Sequence, residues 1–591
     1  MILNSGLPRN PREWVLKRCS SEQCVRLSRE FELHPLTARL LVQRGIYEPQ
    51  AAHDFLNPTL SQMIDPFTMK GMKRAVREML VALDGGERIV IHGDYDVDGV
   101  CSVSVLYTFL RALGANVGYY VPLRDQDGYG LNAQTVRRLA AEGCDLLVTT
   151  DCGVSNVEEI KLARDLGLRV VVIDHHSVPE VLPPANAILN PLQIDCDYAF
   201  KELAAVGVVF NFVVALRKEL RSRGVFRHVP EPDVRDLLDL VALGTIADVV
   251  PLVGQNRLYV HHGLDILAQR KRAGVSALLE RVSRPESGVN TQTVSFGLAP
   301  RLNAAGRLGD ASICVELLTT RSYRKALELA KRLEALNGDR QELERGILGS
   351  ALPQAQSQVD ALRKILVVAG VDWPRGVLGI VASRLMDRFH RPTIMVGIED
   401  GEAKGSARSI EGVDILSILD ESAELLSTYG GHTSAAGLSF VAENLEELRD
   451  SLNEAADRLL DAEPLPKPSV RLDGEVELGS LDDRFVRDLK RLEPFGTGNR
   501  EPIFLAPQSQ ASRVRVVGTN HLRARFRDGT GALDGIGFSL AGLEPLLSDS
   551  VAIAFSPRYS VFRGRGRLEM HIKDIRSASE TIPDRIEQIE H

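Results

Sequence analysis

Residues 88–99 read RIVIHGDYDVDG, a short apolar run that leads directly into carboxylates at every second position. The apolar run predicts a buried β-strand. If the backbone stays extended beyond it, Asp94, Asp96 and Asp98 project to one side. Like charges this close repel each other unless a cation neutralises them. Oxygen ligands favour Mg²⁺ or Mn²⁺, although an acidic surface turn has the same pattern.

Strand-like runs and helical patterns alternate after this stretch. The runs are NVGYYV (116–121), DLLVTT (145–150) and RVVVI (169–173), and helical patterns cover Leu131–Glu142 and Val157–Leu166. This alternation predicts parallel βαβ units. Asp151 follows the second run, and His175 and His176 follow the third. Because functional groups collect beyond the carboxyl ends of such strands, we expect these side chains to join the three carboxylates.

Asp248 is a further candidate, embedded in the apolar run LVALGTIADVVPL. An acid at a helix end would give the same pattern. An acid cluster with a few histidines can hold two divalent ions about 4 Å apart and lower the pKa of a bridging water. The predicted chemistry is phosphoester hydrolysis. The sequence has no GxxxxGK[ST] loop, kinase signature or GxSxG, which disfavours ATP-driven transfer and serine hydrolysis.

Composition limits the class of protein. The 591 residues predict three or four domains at about 150 residues each, and 44% hydrophobic with 25% charged residues is typical of globular proteins. Apolar runs stay below the roughly 18 residues of a membrane span, and the first residues lack a secretory pattern. We therefore expect a cytoplasmic protein whose seven scattered cysteines are reduced. The net charge of −8, taken over the whole chain, gives no indication of binding to nucleic acid.

The patterns divide the chain into six segments. We predict an α/β protein with two lobes of mainly parallel sheet, joined by a long helix and followed by an all-β module of about five strands. The segments are an N-terminal extension (1–65), the first lobe (66–320), the connecting helix (321–350), the second lobe (351–462), the all-β module (463–580) and a tail (581–591).

Basic residues are concentrated in the all-β module. Alternation places Arg523, Arg525 and Arg527 on one strand face, near aromatic residues. This predicts binding of single-stranded nucleic acid through backbone electrostatics and stacking, with a solvated strand face as the alternative. The residues concerned are Arg513, Arg515, Arg523, Arg525 and Arg527, the RGRGR tract of Arg563, Arg565 and Arg567, and Phe526, Tyr559 and Phe562.

The motifs HGDYDVDG, TTDCG, DHH and LGTIADVVPL resemble, in order, those of the DHH phosphoesterase superfamily. The likeness extends to the bacterial RecJ family of single-strand-specific DNA exonucleases over about residues 70–580. The motifs that carry it are LAPRLNAAGR (298–307), GVLGIVASRL, GSARS (405–409), GGHTSAAG (430–437) and EPFGTGN (493–499). The chain departs from the family pattern at Pro374, where histidine is common, and at Arg500, where proline is usual.

The resemblance implies a DHH domain, a DHH-associated domain and an OB-fold barrel. It implies hydrolysis of single-stranded DNA from the 5′ end to mononucleotides, in DNA repair and recombination. One or two Mn²⁺ or Mg²⁺ ions would be bound by Asp94, Asp96, Asp98, Asp151, His175 and Asp248. His176 would face the scissile phosphate as a substrate-binding or acid group. Which of Asp94, Asp96 and Asp98 contact a metal stays open, as does a role for His92, a ligand position in related pyrophosphatases.

The candidates for binding DNA phosphates are Arg124, Arg301, Asn303, Arg307, Ser406, Arg408 and His432. Besides single-stranded DNA, we expect a helicase and a single-strand-binding protein as partners, a monomeric state and no membrane contact. A DHH oligoribonuclease or cyclic-dinucleotide phosphodiesterase is the alternative, although neither needs the basic all-β module. A non-catalytic scaffold of the same fold is disfavoured by the intact acids.

Overall fold

The computed structural model describes residues 12–589 except residues 125, 129, 283–287, 462, 563–564 and 581. Arg563 of the RGRGR tract lies outside the described residues, as do the side chains of Phe562 and Arg565. None of the described helices is long and apolar enough to cross a membrane. The chain begins with β1 (Glu13–Arg18), α1 (Ser21–Glu30), α2 (Pro35–Gln43) and α3 (Pro49–Leu56).

The first lobe contains a wholly parallel sheet in the order β3-β2-β4-β5-β6, which confirms the βαβ prediction. Predicted and observed ends differ by one or two residues, and β6 was not predicted. The elements are α4 (Met72–Gly85), β2 (Ile89–His92), α5 (Val97–Ala112), β3 (Val117–Tyr120), α6 (Ala133–Ala141), β4 (Leu146–Thr150), α7 (Val157–Asp165), β5 (Arg169–Ile173) and β6 (Ala187–Leu189).

A layer of helices completes this lobe and shares its apolar core with one face of the sheet. A π-helical turn at Thr293–Leu298 leads into the RLNAAGR motif. The helices are α8 (Ala205–Ser222), α9 (Leu238–Ala247), α10 (Gly254–Gln269), α11 (Ala273–Arg281), α12 (Ala299–Leu308) and α13 (Ser312–Thr319). The predicted connecting helix is present as α14 (Tyr323–Asp360), which ends ten residues beyond the predicted end at 350.

The second lobe confirms the α/β class but not its mainly parallel sheet. Its sheet order is β10-β11-β9-β8-β7, and only β7 and β8 pair in parallel. The reason is a tight hairpin at Asp400 and Gly401, both with positive φ, because a two-residue turn joins only antiparallel strands. The elements are β7 (Leu366–Val371), α15 (Arg375–Phe389), β8 (Thr393–Glu399), β9 (Glu402–Arg408), α16 (Ile415–Asp420), β10 (Thr428–His432), β11 (Ala435–Val441) and α17 (Leu445–Leu459).

The all-β module is a closed barrel of five strands, as predicted. Strands β14, β15, β16, β18 and β17 pair in this order, and β17 pairs back to β14. Closure leaves these strands without free edges. The elements are β12 (Ser469–Leu472), β13 (Gly474–Glu475), α18 (Asp483–Leu492), β14 (Phe504–Val517), β15 (His521–Arg527), β16 (Ala532–Gly537), β17 (Val551–Phe562), β18 (Arg565–Ser577) and β19 (Arg585–Gln588).

The N-terminal segment is part of the barrel's packing rather than a separate extension. Leu27, Leu40 and Leu56 share one buried cluster with the barrel residues Phe504 and Phe555. β1 pairs in parallel with β12 and with β19, so part of the predicted tail is also a strand. The remaining segment boundaries stay predictions.

The EPFGTGN turn holds the barrel against the first lobe. The Leu252 amide donates to the Thr497 carbonyl at 2.7 Å. A Cβ at Gly496 would lie 2.6 Å from the Leu252 side chain, so only glycine permits this approach. The side-chain Nδ2 of Asn499 donates to the carbonyls of Leu492 and Pro494 and fixes the turn. The barrel therefore docks directly on the segment that follows Asp248.

Substitution by alanine should have opposite effects on stability at two helical glycines. A Cβ at Gly263 in α10 would lie 2.2 Å from the Leu238 carbonyl oxygen of α9, whereas Gly338 in α14 has open space around it. We expect Gly263→Ala to destabilise the protein by about 1–3 kcal/mol, because the two helices must separate. Gly338→Ala should stabilise it by about 0.5–1 kcal/mol, because alanine favours the helix. Scanning calorimetry of both variants measures this, and a loss of stability in Gly338→Ala would contradict it.

Candidate metal centre and its cleft

The acids of the HGDYDVDG motif lie where a strand ends and a helix begins. Asp96 caps α5, and its Oδ1 accepts from the Gly99 amide at 3.0 Å. Asp98 lies in the first turn of α5 and accepts from the amides of Ala205 and Val206 at the start of α8, at 2.7 and 3.1 Å. The prediction of an extended backbone through all three acids is therefore wrong beyond Asp96, because the capping interaction begins a helix there.

The predicted acids and histidines come together at the carboxyl ends of the first sheet. Ligand atoms within 4.8 Å of one another form three groups among the described residues. The groups are Asp94, Asp96 and Asp151; Asp98, His175 and Asp248; and Asp151, His175 and His176. The first two share no residue, and His175 Nε2 lies 3.3 Å from Asp151 Oδ1 between them. This arrangement has room for two adjacent cations.

Each histidine is oriented through its Nδ1. His175 Nδ1 lies 3.1 Å from the Leu203 carbonyl, to which it can only donate, so Nε2 of the neutral ring presents a lone pair 3.3 Å from Asp151 Oδ1 and 3.8 Å from Asp248 Oδ2, where a cation could bind all three. His176 Nδ1 lies 2.7 Å from Asp174 Oδ1. Burial alone would lower the pKa of His176, but the hydrogen bond and charge of Asp174 raise it. His175 thus has the form of a metal ligand, whereas His176 is favoured as a cation. Asp174, which was not predicted as a site residue, orients the His176 ring through this hydrogen bond.

The acids carry more negative charge than the protein compensates. Burial, followed by the charge of Asp96, raises the pKa of Asp94, Asp151 and Asp248, the last to about 7. Burial and then Asp248 raise the pKa of Asp98. Asp94 Oδ1 and Asp248 Oδ2 are buried without a hydrogen-bond partner. Divalent cations with oxygen and imidazole ligands fit these residues, because they would neutralise the charge and use these lone pairs.

Close packing makes the acid cluster possible. A Cβ at Gly244 in α9 would lie 2.7 Å from Asp98 Oδ1, and a Cβ at Gly306 in α12 would lie 2.3 Å from the Tyr95 carbonyl. Asp151 has a φ of 63°, a strained conformation for a residue other than glycine. The glycines of LGTIADVV and RLNAAGR are therefore parts of the site, although they bear no functional group.

His92 belongs to none of the three ligand groups. It is fully buried at the end of β2, with Nδ1 3.6 Å from the Cys152 sulfur and its ring against Tyr120. Burial lowers its pKa to about 4, so it packs as a neutral ring. His92 therefore stays outside the described ligand groups, although its Nε2 is buried without a hydrogen-bond partner.

A cluster of arginines faces the acids. Arg124 stacks on Tyr95, 5.2 Å from the ring centre, and Tyr95 lies between Asp94 and Asp96 in sequence. Burial, followed by the charges of Arg124, Arg340 and Arg408, lowers the pKa of Arg307 to about 10. Arg408 donates to Ser406 Oγ at 3.1 Å. Cations that destabilise one another in this way form a site for an anion.

Three other predicted phosphate ligands have different positions. Arg301 is paired with Glu334 of α14 and donates to the Gly297 and Arg281 carbonyls, so its guanidinium is used in packing. Asn303 lines the cleft beside Arg307. His432 is exposed at the end of the edge strand β10. Arg340 of α14, which lines the same cleft, was missed because a long amphipathic helix gives each of its arginines the same appearance.

A continuous groove runs from this cleft to the barrel. The cleft of about 570 Å³ contains Asn303, Arg307 and Arg340, and it shares Ile246, Val249 and Ser295 with a groove of about 1060 Å³. The cationic and aromatic residues that line the groove are Phe296, Phe495, Arg500, Arg558 and Lys573. Phe296 is 79% exposed, which is unusual for a phenylalanine without a ligand.

The barrel face is only partly as predicted. Arg523, Arg525 and Arg527 do lie on the outer face of β15, but Arg523 pairs with Glu569 of β18 and Arg525 with Asp534 of β16. Arg513 and Arg515 are exposed on β14. Phe526 is fully buried in the barrel core and cannot stack on a ligand.

Among the described side chains of the barrel, the aromatic residue that is exposed is Phe538. It is 52% exposed and lies between the rings of His521 and His571, at 5.2 and 5.7 Å. Burial, followed by the charges of Arg558 and Lys573, lowers the pKa of His571 to about 3. These two cations also line the groove.

Comparison with known proteins shows three family matches along the chain. Residues 88–245 match the DHH family, N-terminal domain, residues 363–458 match the DHHA1 domain, and residues 472–574 match the RecJ OB domain. The first range contains the acids and histidines from Asp94 to His176 but ends before Asp248, and the other two cover most of the second lobe and most of the barrel.

Full-length relatives are similar over nearly the whole chain. The single-stranded-DNA-specific exonuclease RecJ of Bacillus subtilis is 38% identical over 95% of this chain and 70% of that protein. RecJ of Haemophilus influenzae is 36% identical over 96% of this chain and 100% of that protein. The crystal structure of Thermus thermophilus RecJ with Mn²⁺ superposes with a TM-score of 0.80 at 31% identity, covering 95% of this chain and 79% of that one.

A divalent cation should stabilise the fold through the acid cluster. We expect Mn²⁺ to raise the melting temperature, and at about 100 times its Kd the gain corresponds to about 2.7 kcal/mol. Asp248→Asn should melt no lower than the unchanged protein without metal, because it relieves repulsion, but it should gain less from Mn²⁺. Glu454→Gln, on the exposed face of α17, is the matched control. Equal gains in the two variants would rule out Asp248 as a ligand.

Proposed function

Because the chain belongs to the RecJ family of single-stranded-DNA-specific exonucleases, we propose that it hydrolyses single-stranded DNA from the 5′ end and releases mononucleotides. The observation that carries the proposal is the opposition of two charged clusters in one cleft. Buried carboxylates that repel one another lie near arginines that repel one another. The arginines would pair with a terminal phosphate. The carboxylates would bind divalent ions that contact the adjacent phosphodiester.

The residues that would hold Mn²⁺ or Mg²⁺, as one or two ions, are Asp94, Asp96, Asp98, Asp151, His175 and Asp248. Their grouping into two sets of oxygen and imidazole donors supports this assignment. When bound, such ions lower the pKa of a water molecule and neutralise charge on the phosphate. RecJ structures from Thermus thermophilus contain Mn²⁺ in one case and Mg²⁺ in another.

His176 would donate a proton or a hydrogen bond to a phosphate oxygen. Asp174 accepts from its Nδ1 and also from the amides of Val154 and His176, so both the ring and the carboxylate are fixed. The ring of His176 forms a ligand group with Asp151 and His175, which supports a position beside the substrate phosphate. A residue held in this way changes little during the reaction, which favours stabilisation of developing charge.

The arginine cluster would bind the 5′-terminal phosphate. Arg124, Arg307 and Arg408, with Ser406, supply forked donors and a hydroxyl on one side of the acids. An end that is fixed there places the next phosphodiester toward the metal centre. This arrangement supports hydrolysis that begins at the 5′ end and proceeds one nucleotide at a time.

The rest of the strand would follow the groove to the barrel. Its cations can contact the backbone, and Phe296 and Phe538 can stack on unpaired bases. We further propose that residues 12–56 and the barrel act as one binding unit, because they share a core. A cytoplasmic location, a monomeric state and helicase or single-strand-binding partners remain part of this proposal.

The decisive assay uses single-stranded DNA, duplex DNA and a ribodinucleotide, each end-labelled, with Mn²⁺ or Mg²⁺. We expect stepwise loss of mononucleotides from the 5′ end of the single strand, and a loss of at least about 1000-fold in His175→Ala because a ligand is removed. Preference for the dinucleotide would favour the oligoribonuclease alternative. Inertness with every metal would favour a scaffold.

A second variant separates recognition of the 5′ end from the chemistry. Arg408→Ala should raise KM for 5′-phosphorylated DNA by about tenfold to a hundredfold, the value of a lost charge-assisted hydrogen bond, with a smaller effect on a 5′-hydroxyl strand. Arg345→Ala, on the exposed face of α14, is the control. An equal rise in KM for both strands would contradict binding of the terminal phosphate by Arg408.

Phe538→Ala should weaken binding of a strand of about 20 nucleotides, with much less effect on hydrolysis of a trinucleotide. One lost stacking contact costs about 1–3 kcal/mol, which is about fivefold to 150-fold in Kd. Phe538→Trp should retain binding, and Leu546→Ala provides an exposed apolar control on the barrel. Fluorescence anisotropy measures the affinities. Unchanged binding in Phe538→Ala would exclude this residue from the DNA path.

A further inference from the structure

Two cysteines of the N-terminal segment lie in contact. The sulfur atoms of Cys19 and Cys24 are 3.6 Å apart, and both side chains are half-buried. Cys196 is also half-buried, but its sulfur accepts from the Lys70 amide. The remaining cysteines, at 101, 144, 152 and 314, are buried. Cys19 and Cys24 are therefore a pair of thiols that a small reagent can reach.

The start of α1 determines this contact. Ser20 caps the helix, and its Oγ accepts from the Gln23 amide at 3.4 Å. Cys19 precedes the cap, and Cys24 is the fourth residue of the helix. These are the two positions that pack on each other as a hydrophobic staple. The spacing C-S-x-x-x-C with a serine cap thus places the sulfurs together by local geometry, whatever the oxidation state.

The two thiols are not equivalent. The hydrogen bond from Cys24 lowers the pKa of Cys19 to about 7, with Arg39 acting in the same direction and burial opposing. The same hydrogen bond, followed by burial, raises the pKa of Cys24. A thiolate is a far stronger nucleophile toward peroxide than a thiol, and a helix N-terminus stabilises the thiolate. Cys19 is therefore the nucleophile, and Cys24 is the thiol beside it.

We propose that Cys19 and Cys24 form a redox-active dithiol that hydrogen peroxide converts to an intramolecular disulfide. The Cys19 thiolate attacks one peroxide oxygen, which gives a sulfenic acid and releases hydroxide. The Cys24 sulfur then attacks the Cys19 sulfur, the S–O bond breaks, and the Cys24 proton leaves with that oxygen as water. The thiols lose two electrons, and the peroxide, with the proton that Cys19 had released, becomes two waters.

The geometry favours a reversible bond. The sulfurs must approach by about 1.6 Å to reach a bond length of about 2.0 Å, which rotation of the two side chains can supply at a helix end. The loop between them has four residues, so closure stabilises the protein little through the unfolded chain. A bond of this kind suits a response to oxidation better than a structural role. This inference does not depend on the proposed nuclease activity.

Formation of the Cys19–Cys24 disulfide should make the attachment of α1 to the barrel more rigid. Leu27 of α1 lies in the barrel's core cluster, and Cys19 and Cys24 pack against its edge. A covalent link from the end of β1 to the second turn of α1 hinders fraying of this helix. Amide hydrogen exchange at residues 21–31 reports on the link without any enzymatic assay.

The test treats the folded full-length protein with hydrogen peroxide, blocks free thiols with iodoacetamide, and maps the cysteines by mass spectrometry. We expect a mass loss of two hydrogens at Cys19 and Cys24, reversed by dithiothreitol, together with slower exchange in α1. In Cys24→Ser the Cys19 sulfenic acid should persist and react with dimedone. In Cys19→Ser, Cys24 should remain alkylatable, and Cys196→Ser should behave like the unchanged protein.

If the contact between Cys19 and Cys24 were only a hydrophobic staple, the peroxide experiment would give a different result. Cys19 and Cys24 would both stay alkylatable after peroxide, or Cys196 would oxidise at least as fast as they do. A disulfide that forms only in urea would also overturn the proposal. Cys19→Val retains the apolar staple contact and shows whether a serine variant has lost the helix start rather than the thiol.

Discussion

The mutual repulsion of buried carboxylates is the constraint on which the rest of this structure depends. Five aspartates crowd the carboxyl ends of one sheet, and burial makes their charges costly. The fold offsets part of this cost with backbone amides: the start of α8 donates to Asp98, and the start of α5 donates to Asp96. What the amides do not neutralise is left for divalent cations, so the fold and the need for metal have one physical origin.

Close approach of other elements follows from the same constraint. α9 and α12 reach the acid loop only because Gly244 and Gly306 lack side chains. The segment after Asp248 is in turn held by the EPFGTGN turn, where Gly496 allows the contact and Leu252 donates to Thr497. The barrel is thus attached to the segment that carries an acid of the metal centre. Under the proposed function, DNA held on the barrel would enter a groove whose orientation relative to the acid cluster is fixed by this contact.

The sequence predicted those parts of the site that a strand end determines, such as Asp151 and His175, because parallel strands align their carboxyl ends. The sequence-based predictions failed for residues whose orientation depends on tertiary packing. Arg301 was grouped with Arg307, although the two lie six residues apart on α12 and therefore on different faces, and Arg301 pairs with Glu334. Phe526 alternates with arginines and therefore points into the barrel, and the same alternation that placed the arginines outside should have excluded it. Phe538, just beyond a strand, carried no pattern that distinguished it.

The arginines and the acids stay apart although they share a cleft. The ion pairs of the described residues do not join Arg124, Arg307 or Arg408 to Asp94 or Asp96, and Arg124 lies on the Tyr95 ring instead. If the clusters neutralised each other, neither metal nor phosphate would be needed. Their separation leaves a strong field across the cleft, which a phosphate with its cations can satisfy and an apolar ligand cannot. The net charge of −8 hides this division, because opposite charges cancel in a sum even where the fold keeps them from meeting.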